Sequence, residues 1–315
     1  MAEPIPLEEI EAARERLVGL AVRTPLVRLN VDTAPMEVYL KLENLQPIGA
    51  FKIRGAGNAM AIAGEEALRY GVWTASAGNM AQGVAWNAAR LGIHCSVVVP
   101  DHAPEAKLEA LERLGASIVK VPFEVWWQII VTHQHEGQSG VFVHPVSDRA
   151  VMAGNGTIGL ELVEDLPDLD AVVVPYGGGG LSTGIASALR HLAPQVAVYG
   201  AEVETSAALH AAFAAGEPTP IEYTPSFVDG IGSGRVLDEM WPLVSELLSG
   251  SLVSSLQEVE SAVRALAMRN HVVAEGAGAA SVAAALKGGA GAGKVVCIVS
   301  GGNINASTLA EILSG

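Results

Sequence analysis

The chain has 315 residues, 50% of them hydrophobic, with 35 glycines and two cysteines. That is enough to bury a large core, and at about 150 residues per domain it points to two lobes. Nineteen basic against 34 acidic side chains leave a net charge of −15, which argues against nucleic acid or an anionic membrane as partner.

The acidic, amphipathic start predicts a helix over Pro6–Val18, whose crowded Glu8, Glu9, Glu11, Arg14, Glu15 and Arg16 form a solvated face. It is no basic-then-apolar leader, and no run reaches the roughly 18 apolar residues of a membrane span, so a soluble, unprocessed chain in the cytoplasm is expected. A strand-like run, Val38–Leu42, leads to Gly49-Ala50-Phe51-Lys52-Ile53-Arg54-Gly55-Ala56 and a helix over Arg54–Glu66. Lys52 stands among small and apolar residues just before that helix. Such surroundings disfavour the ammonium form, so its pKa should fall from about 10.4 toward the range where an amine attacks a carbonyl. Lys52 is therefore a candidate Schiff-base lysine, and Arg54 is expected to be a structural salt-bridge partner.

Next, a run ending near Ala75 meets the tight turn Ser76-Ala77-Gly78-Asn79-Met80 and a helix over Ala81–Leu91. Small residues before a helix present N–H groups to a carboxylate, and the Asn79 amide offers both donor and acceptor. Ser76, Ala77, Gly78, Asn79 and Met80 thus form a candidate substrate loop. Strands at His94–Val99 and Ser117–Val121 flank a helix over Glu105–Leu114. The Trp126-Trp127 pair suits core or interface packing. His133 and His135 lack a Cys or Asp at metal spacing and are expected at the surface.

The strongest feature follows the β-branched run Ala171–Pro175: the segment Tyr176-Gly177-Gly178-Gly179-Gly180-Leu181, with a helix over Leu181–Leu192 behind it. Adjacent glycines let successive N–H groups turn inward, and the helix adds the positive end of its dipole. At the carboxyl end of a strand this loop suits a phosphate. A strand at Val196–Ala201, a helix at Val259–Met268 and a strand at Lys294–Ser300 complete the pattern, the last leading into Ser300-Gly301-Gly302-Asn303. The alternation predicts an α/β chain with parallel sheets. Cys95 and Cys297 lie in apolar strand-like runs without a C-x-x-C neighbour, as buried reduced thiols do.

In this order and spacing the four segments resemble the fold-type II pyridoxal-phosphate enzymes, in the branch of threonine and serine dehydratases and serine racemase. The resemblance covers nearly the whole chain, including Arg23-Thr24-Pro25-Leu26, Lys41-Leu42-Glu43-Asn44 and Gly154-Asn155-Gly156-Thr157-Ile158-Gly159. It implies a two-lobed, tryptophan synthase beta-like architecture with parallel-rich sheets: a large lobe from 1–71 and 146–315, and a small mobile lobe from 72–145. It also implies a homodimer and pyridoxal 5′-phosphate as cofactor. Lys52 would carry the cofactor, Phe51 would lie beside its ring, and Asn79 would meet its phenolic oxygen. Gly177, Gly178, Gly179, Gly180 and Leu181 would hold the phosphate, and Ser300 would meet the pyridine nitrogen.

The activity so implied is an ammonia-lyase acting on a small β-hydroxy amino acid, L-threonine or L-serine first. Lys52 would take the Cα proton, Cβ would lose its hydroxyl, and a 2-oxo acid and ammonia would result. Alternatives are a dehydratase for 3-hydroxyaspartate or phenylserine, a serine racemase, or a non-catalytic protein that binds a phosphate ligand. For a second carboxylate no lone cation stands out, with Arg149 and Arg235 left open. Departures from the family narrow these choices. Ala77 stands where the racemase has a serine, so racemisation should be slow, and Met80 replaces a common histidine. Glu202 matches the first acidic group of a cation site, but Ala208 replaces an aspartate, so neither a divalent nor a monovalent cation is asserted. With the sequence read to Gly315, a regulatory domain like that of the allosteric threonine dehydratases, and feedback through it, is not expected.

Overall fold

In the computed structural model, which describes residues 3–315, the β-branched runs form strands and the glycine turns lie at their carboxyl ends. The strands are β1 (Leu26–Arg28), β2 (Glu37–Lys41), β3 (Val72–Ala75), β4 (Cys95–Pro100), β5 (Ser117–Val121), β6 (Val141–Phe142), β7 (Ala171–Pro175), β8 (Ala197–Val203), β9 (Gly250–Ser254) and β10 (Lys294–Ile298). Six of them form one sheet in the order β1-β2-β10-β7-β8-β9, parallel except at the β1–β2 edge. The other four, in the order β5-β4-β3-β6, form a fully parallel second sheet. Its strands all come from the stretch between Val72 and Phe142, so the chain leaves the first sheet and returns to it.

The first helices are α1 (Leu7–Arg16), α2 (Lys52–Leu68), α3 (Asn79–Leu91), α4 (Glu105–Arg113), α5 (Phe123–Thr132) and α6 (Arg149–Asp165). They are followed by α7 (Gly180–Leu192), α8 (Ala208–Ala215), α9 (Trp241–Leu247), α10 (Leu256–Arg269), α11 (Gly276–Lys287) and α12 (Ala306–Ser314). Every helix and strand expected from periodicity is present, with ends shifted by at most three residues. One shift matters: Lys52 opens α2 instead of preceding it.

Side-chain alternation builds the layers. Along β7, Ala171 and Val173 pack with α10 and α11, while Val172 and Val174 pack with α6 and α7. The second sheet has α2, α3 and α4 on one face; α5, with Trp126 and Trp127, covers the other. Cys95 and Cys297 are buried and free, and burial pushes the Cys95 thiol up to about 12. No helix among the described residues is long and apolar enough to cross a membrane.

Helices α6 and α11 were not expected, because their glycines depress helix propensity. Tertiary contact explains those glycines. A Cβ on Gly154 would fall 2.5 Å from the Arg54 carbonyl oxygen, and one on Gly184 of α7 would fall 2.3 Å from that of Met152. Thus α2, α6 and α7 pack backbone against backbone, a spacing only glycine allows.

The same junction buries four ionic side chains. Arg54 Nε and Nη2 donate to Glu43 at 2.9 and 2.8 Å, and Nη1 donates to Glu161 at 2.6 Å. Lys41 Nζ pairs with Glu161 at 2.6 Å and donates to the Thr24 carbonyl oxygen at 2.7 Å. Burial pushes the Glu43 carboxyl up, but the Arg54 charge and hydrogen bonds overcome this and hold it below its ordinary value. Arg54 is the structural partner expected. Removing one member strands a buried charge, so Arg54→Met is expected to cost about 3–5 kcal/mol in chemical denaturation. A loss under about 0.5 kcal/mol, the scale of an ordinary surface substitution, would show that the network is not needed.

Candidate active site

The glycine loop, the Asn79 turn and the Ser300 turn follow β7, β3 and β10, and contacts tie all three to the start of α2. Backbone pairing along β7 ends where Tyr176 N donates to the Ala201 oxygen at 2.9 Å. The next four residues turn into α7 through Gly179, whose φ of +97° lies in the left-handed region. A Cβ on Gly178 would fall 2.4 Å from Val146 Cγ2, and one on Gly180 would fall 2.4 Å from the Val146 oxygen. No acceptor among the described residues pairs with the N–H groups of Gly177, Gly178, Gly179, Gly180 or Leu181. Five adjacent unpaired donors at the positive end of a helix suit a phosphate. Leu181 can serve only through its main chain, since its side chain is buried in the core.

Lys52 Nζ donates to the Pro145 oxygen at 2.7 Å and lies 5.2 Å from the centroid of the Phe51 ring. Burial draws its amine down from 10.5 to about 8, so a usable neutral fraction exists near physiological pH. Phe51 N donates to the Ser300 oxygen at 3.0 Å, which joins the start of α2 to the end of β10. The Ser300 side chain is buried.

Pro145 is held by a residue that sequence reasoning missed. His144 Nδ1 accepts from Ser147 N and Ser147 Oγ, both at 2.8 Å, and from Val146 N at 3.2 Å, while Nε2 lies 3.1 Å from the Ile130 oxygen. This pattern places the proton on Nε2. Burial, with the charges of His133 and Lys52 nearby, lowers the imidazole to about 3, so His144 stays neutral. His133 is less exposed than expected: its ring stacks on His144 with centroids 4.2 Å apart, and its Nε2 lies 3.4 Å from Glu239. The three side chains are close enough to suggest a metal set. The Nδ1 lone pair of His144 already faces main-chain N–H groups, so it is not free to bind one.

Asn79 opens α3. Its Nδ2 donates to Glu275 Oε1 at 2.8 Å, and its Oδ1 accepts from Asn303 Nδ2 at 2.8 Å. Within the same turn Ser76 Oγ accepts from Gly78 N at 3.2 Å, and Ser76, Ala77 and Gly78 are half-buried. The Met80 side chain is 1% exposed, in the core with Met60, Val84 and Val151, so it supports the turn from behind and can join the substrate loop only through its main chain. Glu202, the weak match to a cation site, is engaged within the chain: its carboxylate accepts from Leu209 N at 2.7 Å, His210 N at 2.8 Å and Ser251 Oγ at 2.5 Å, which caps α8.

A parallel-rich α/β fold, a lysine at a helix start and an unpaired glycine cradle define a pyridoxal-phosphate enzyme of fold type II. Residues 19–301 match the family described as "Pyridoxal-phosphate dependent enzyme", and the chain belongs to it. The chain is 40% identical to L-threonine ammonia-lyase of Thermotoga maritima, over 98% of this chain and 78% of that protein. It is 39% identical to the catabolic L-threonine dehydratase of Escherichia coli K12, over 98% and 96%. Among solved structures it resembles a threonine deaminase from T.th., with a TM-score of 0.86 and 33% identity over 95% of this chain and 98% of that one. It also resembles the serine racemase of Dictyostelium discoideum, with a TM-score of 0.85 and 32% identity over 96% and 99%. Pyridoxal phosphate fits the residues present: its phosphate suits the unpaired amides and its aldehyde suits the lowered amine.

The amine can be tested without cofactor. Labelling of Lys52 by an acylating reagent in cofactor-free protein should rise with a midpoint near pH 8. A midpoint above about 10, as for an ordinary lysine, would contradict the burial argument.

Proposed function

We propose that this pyridoxal-phosphate enzyme is an ammonia-lyase that converts L-threonine, and L-serine after it, to a 2-oxo acid and ammonia by β-elimination. The observation that carries the reading is Lys52: a buried amine lowered to about 8, oriented by the Pro145 oxygen. The relatives in sequence, named as threonine ammonia-lyases and dehydratases over nearly the whole chain, support the substrate class.

Pyridoxal phosphate supplies the carbonyl that engages the substrate amine and the π-system that accommodates the electron pair left at Cα. The chain supplies the rest. The amides of Gly177 to Leu181 hold the phosphate, and the Phe51 ring is the wall beside Lys52. Neutral Lys52 Nζ accepts the Cα proton, and the Pro145 oxygen keeps that nitrogen in place. The Ser300 hydroxyl, an uncharged partner for the ring nitrogen, favours loss of the β-substituent over transamination. The Cβ–O bond breaks, the hydroxyl leaves with a proton as water, and the unsaturated amine takes up water to give the 2-oxo acid and ammonia. The turn N–H groups near Ser76 to Asn79 suit the substrate carboxylate. Ala77 brings no proton donor, so racemisation is expected to be slow.

Both candidate cations already hold a carboxylate: Arg149 donates through Nε and Nη2 to Glu9, both at 2.9 Å, and Arg235 pairs with Asp238 at 2.8 Å. Trp126 and Trp127, both on α5, pack against the second sheet, as expected of a core or interface pair. A homodimer, a cytoplasmic setting and motion of the 72–145 stretch over the substrate belong to the same proposal.

Protein loaded with pyridoxal phosphate is expected to release 2-oxo acid steadily from L-threonine, and Lys52→Ala is expected to lower the rate by at least about 1,000-fold. Turnover retained in that variant would remove Lys52 from the mechanism.

A further inference from the structure

Glu275, the residue before α11, sits where distant segments meet, and the roles assigned so far do not use it. Asn79 reaches it from the second sheet; Gly301 and Asn303 reach it from the end of β10; Asp229 lies nearby. A Cβ on Gly301 would fall 2.4 Å from Glu275 Oε1, and one on Gly230 would fall 3.5 Å from it, so the carboxyl packs against bare backbone.

Its contact with Asn79 is one half of a lock. A primary amide has two N–H donors and one carbonyl acceptor. Glu275 offers Asn79 an acceptor, and Asn303 Nδ2 offers it a donor while also reaching the Ile48 oxygen at 2.9 Å. Only one orientation of the Asn79 amide satisfies both neighbours. The flipped amide would set oxygen against carboxylate and N–H against N–H. Asn79 therefore keeps one N–H of fixed direction that neither neighbour uses.

We infer that Glu275 is the positioning residue for Asn79: together with Asn303 it fixes the amide so that the remaining N–H meets the phenolic oxygen of pyridoxal phosphate. This rests on the cofactor reading given above. A carboxylate only accepts hydrogen bonds, whereas a protonated carboxyl also donates and holds the amide less strictly. Burial pushes Glu275 up to about 7, and the Asp229 charge adds to this; the Asn79 amide, the Lys107 charge and the Asn303 main-chain N–H pull the other way. Lys107 and Asp229 are themselves paired at 2.6 Å. The lock should thus tighten as pH rises through about 7 and loosen as it falls.

The test uses protein loaded with pyridoxal phosphate: visible absorption from pH 6 to 9, and the cofactor dissociation constant by equilibrium dialysis. Glu275→Gln keeps the shape and an acceptor oxygen but cannot ionise. It is expected to weaken cofactor binding about tenfold at pH 8, the scale of one charge-assisted hydrogen bond, and to lack the spectral transition near pH 7 expected of the parent. Adding it to Asn79→Ala should weaken binding no further. If Glu275→Gln does not fold, Asn303→Ala tests the other half of the lock; it should weaken binding by a similar factor while keeping the pH transition. A Glu275→Gln protein with the parent's affinity and spectrum, additive losses with Asn79→Ala, or an Asn303→Ala protein with parental affinity would each overturn the inference alone. A parent chain that binds no pyridoxal phosphate would overturn the cofactor reading and this inference with it.

Discussion

The buried guanidinium of Arg54 is the constraint on which the rest of the site depends. It joins Glu43, just after β2, to Glu161 on α6, and it sits two residues after Lys52 on α2. Because α6 packs against α7 at backbone distance, one charge cluster fixes both the helix that carries the amine and the helix whose first turn forms the phosphate cradle. A buried ionic group is a weak source of stability when compared with apolar packing, but it tolerates very few geometries. Here that intolerance serves position.

The charge balance accounts for the form of the cradle. In a chain with net charge −15, the glycine loop supplies main-chain N–H groups and the dipole of α7, which no pairing with a carboxylate can neutralise. The lysine beside it is kept partly neutral by burial, so it is available for proton transfer instead of being held as a counter-ion. Several contacts then join the second sheet's elements to the first sheet's: Asn79 to Glu275, Lys107 to Asp229, and His133 to Glu239. All three would sense movement of one sheet against the other.

What could be read from the sequence was local. The β-branched run of β7, the helical spacing of α7 and the glycines between them need only neighbours to be recognised, and the lysine before a small-residue helix carries its own signal. Helices α6 and α11 escaped because their glycines and alanines answer to partners in other helices. The placement of Met80 and Glu202 was not legible because a residue type does not reveal which way its side chain points: one faces the core and the other caps α8. His144 gave no signal, and Glu275 only a faint one. Glu275 meets Asn79 across 196 residues of chain, and His144 acts by shaping the turn that presents the Pro145 oxygen. An acidic residue directly before a run of small residues, as in Ala274-Glu275-Gly276-Ala277, was the one available hint of a buried helix start.

The most direct measurement is a crystal structure of the protein grown with pyridoxal phosphate. Continuous density from Lys52 Nζ to the cofactor, with phosphate oxygens accepting from the N–H groups between Gly177 and Leu181, is the predicted result. A phosphate bound elsewhere, or Lys52 still resting on the Pro145 oxygen beside an occupied site, would contradict the account.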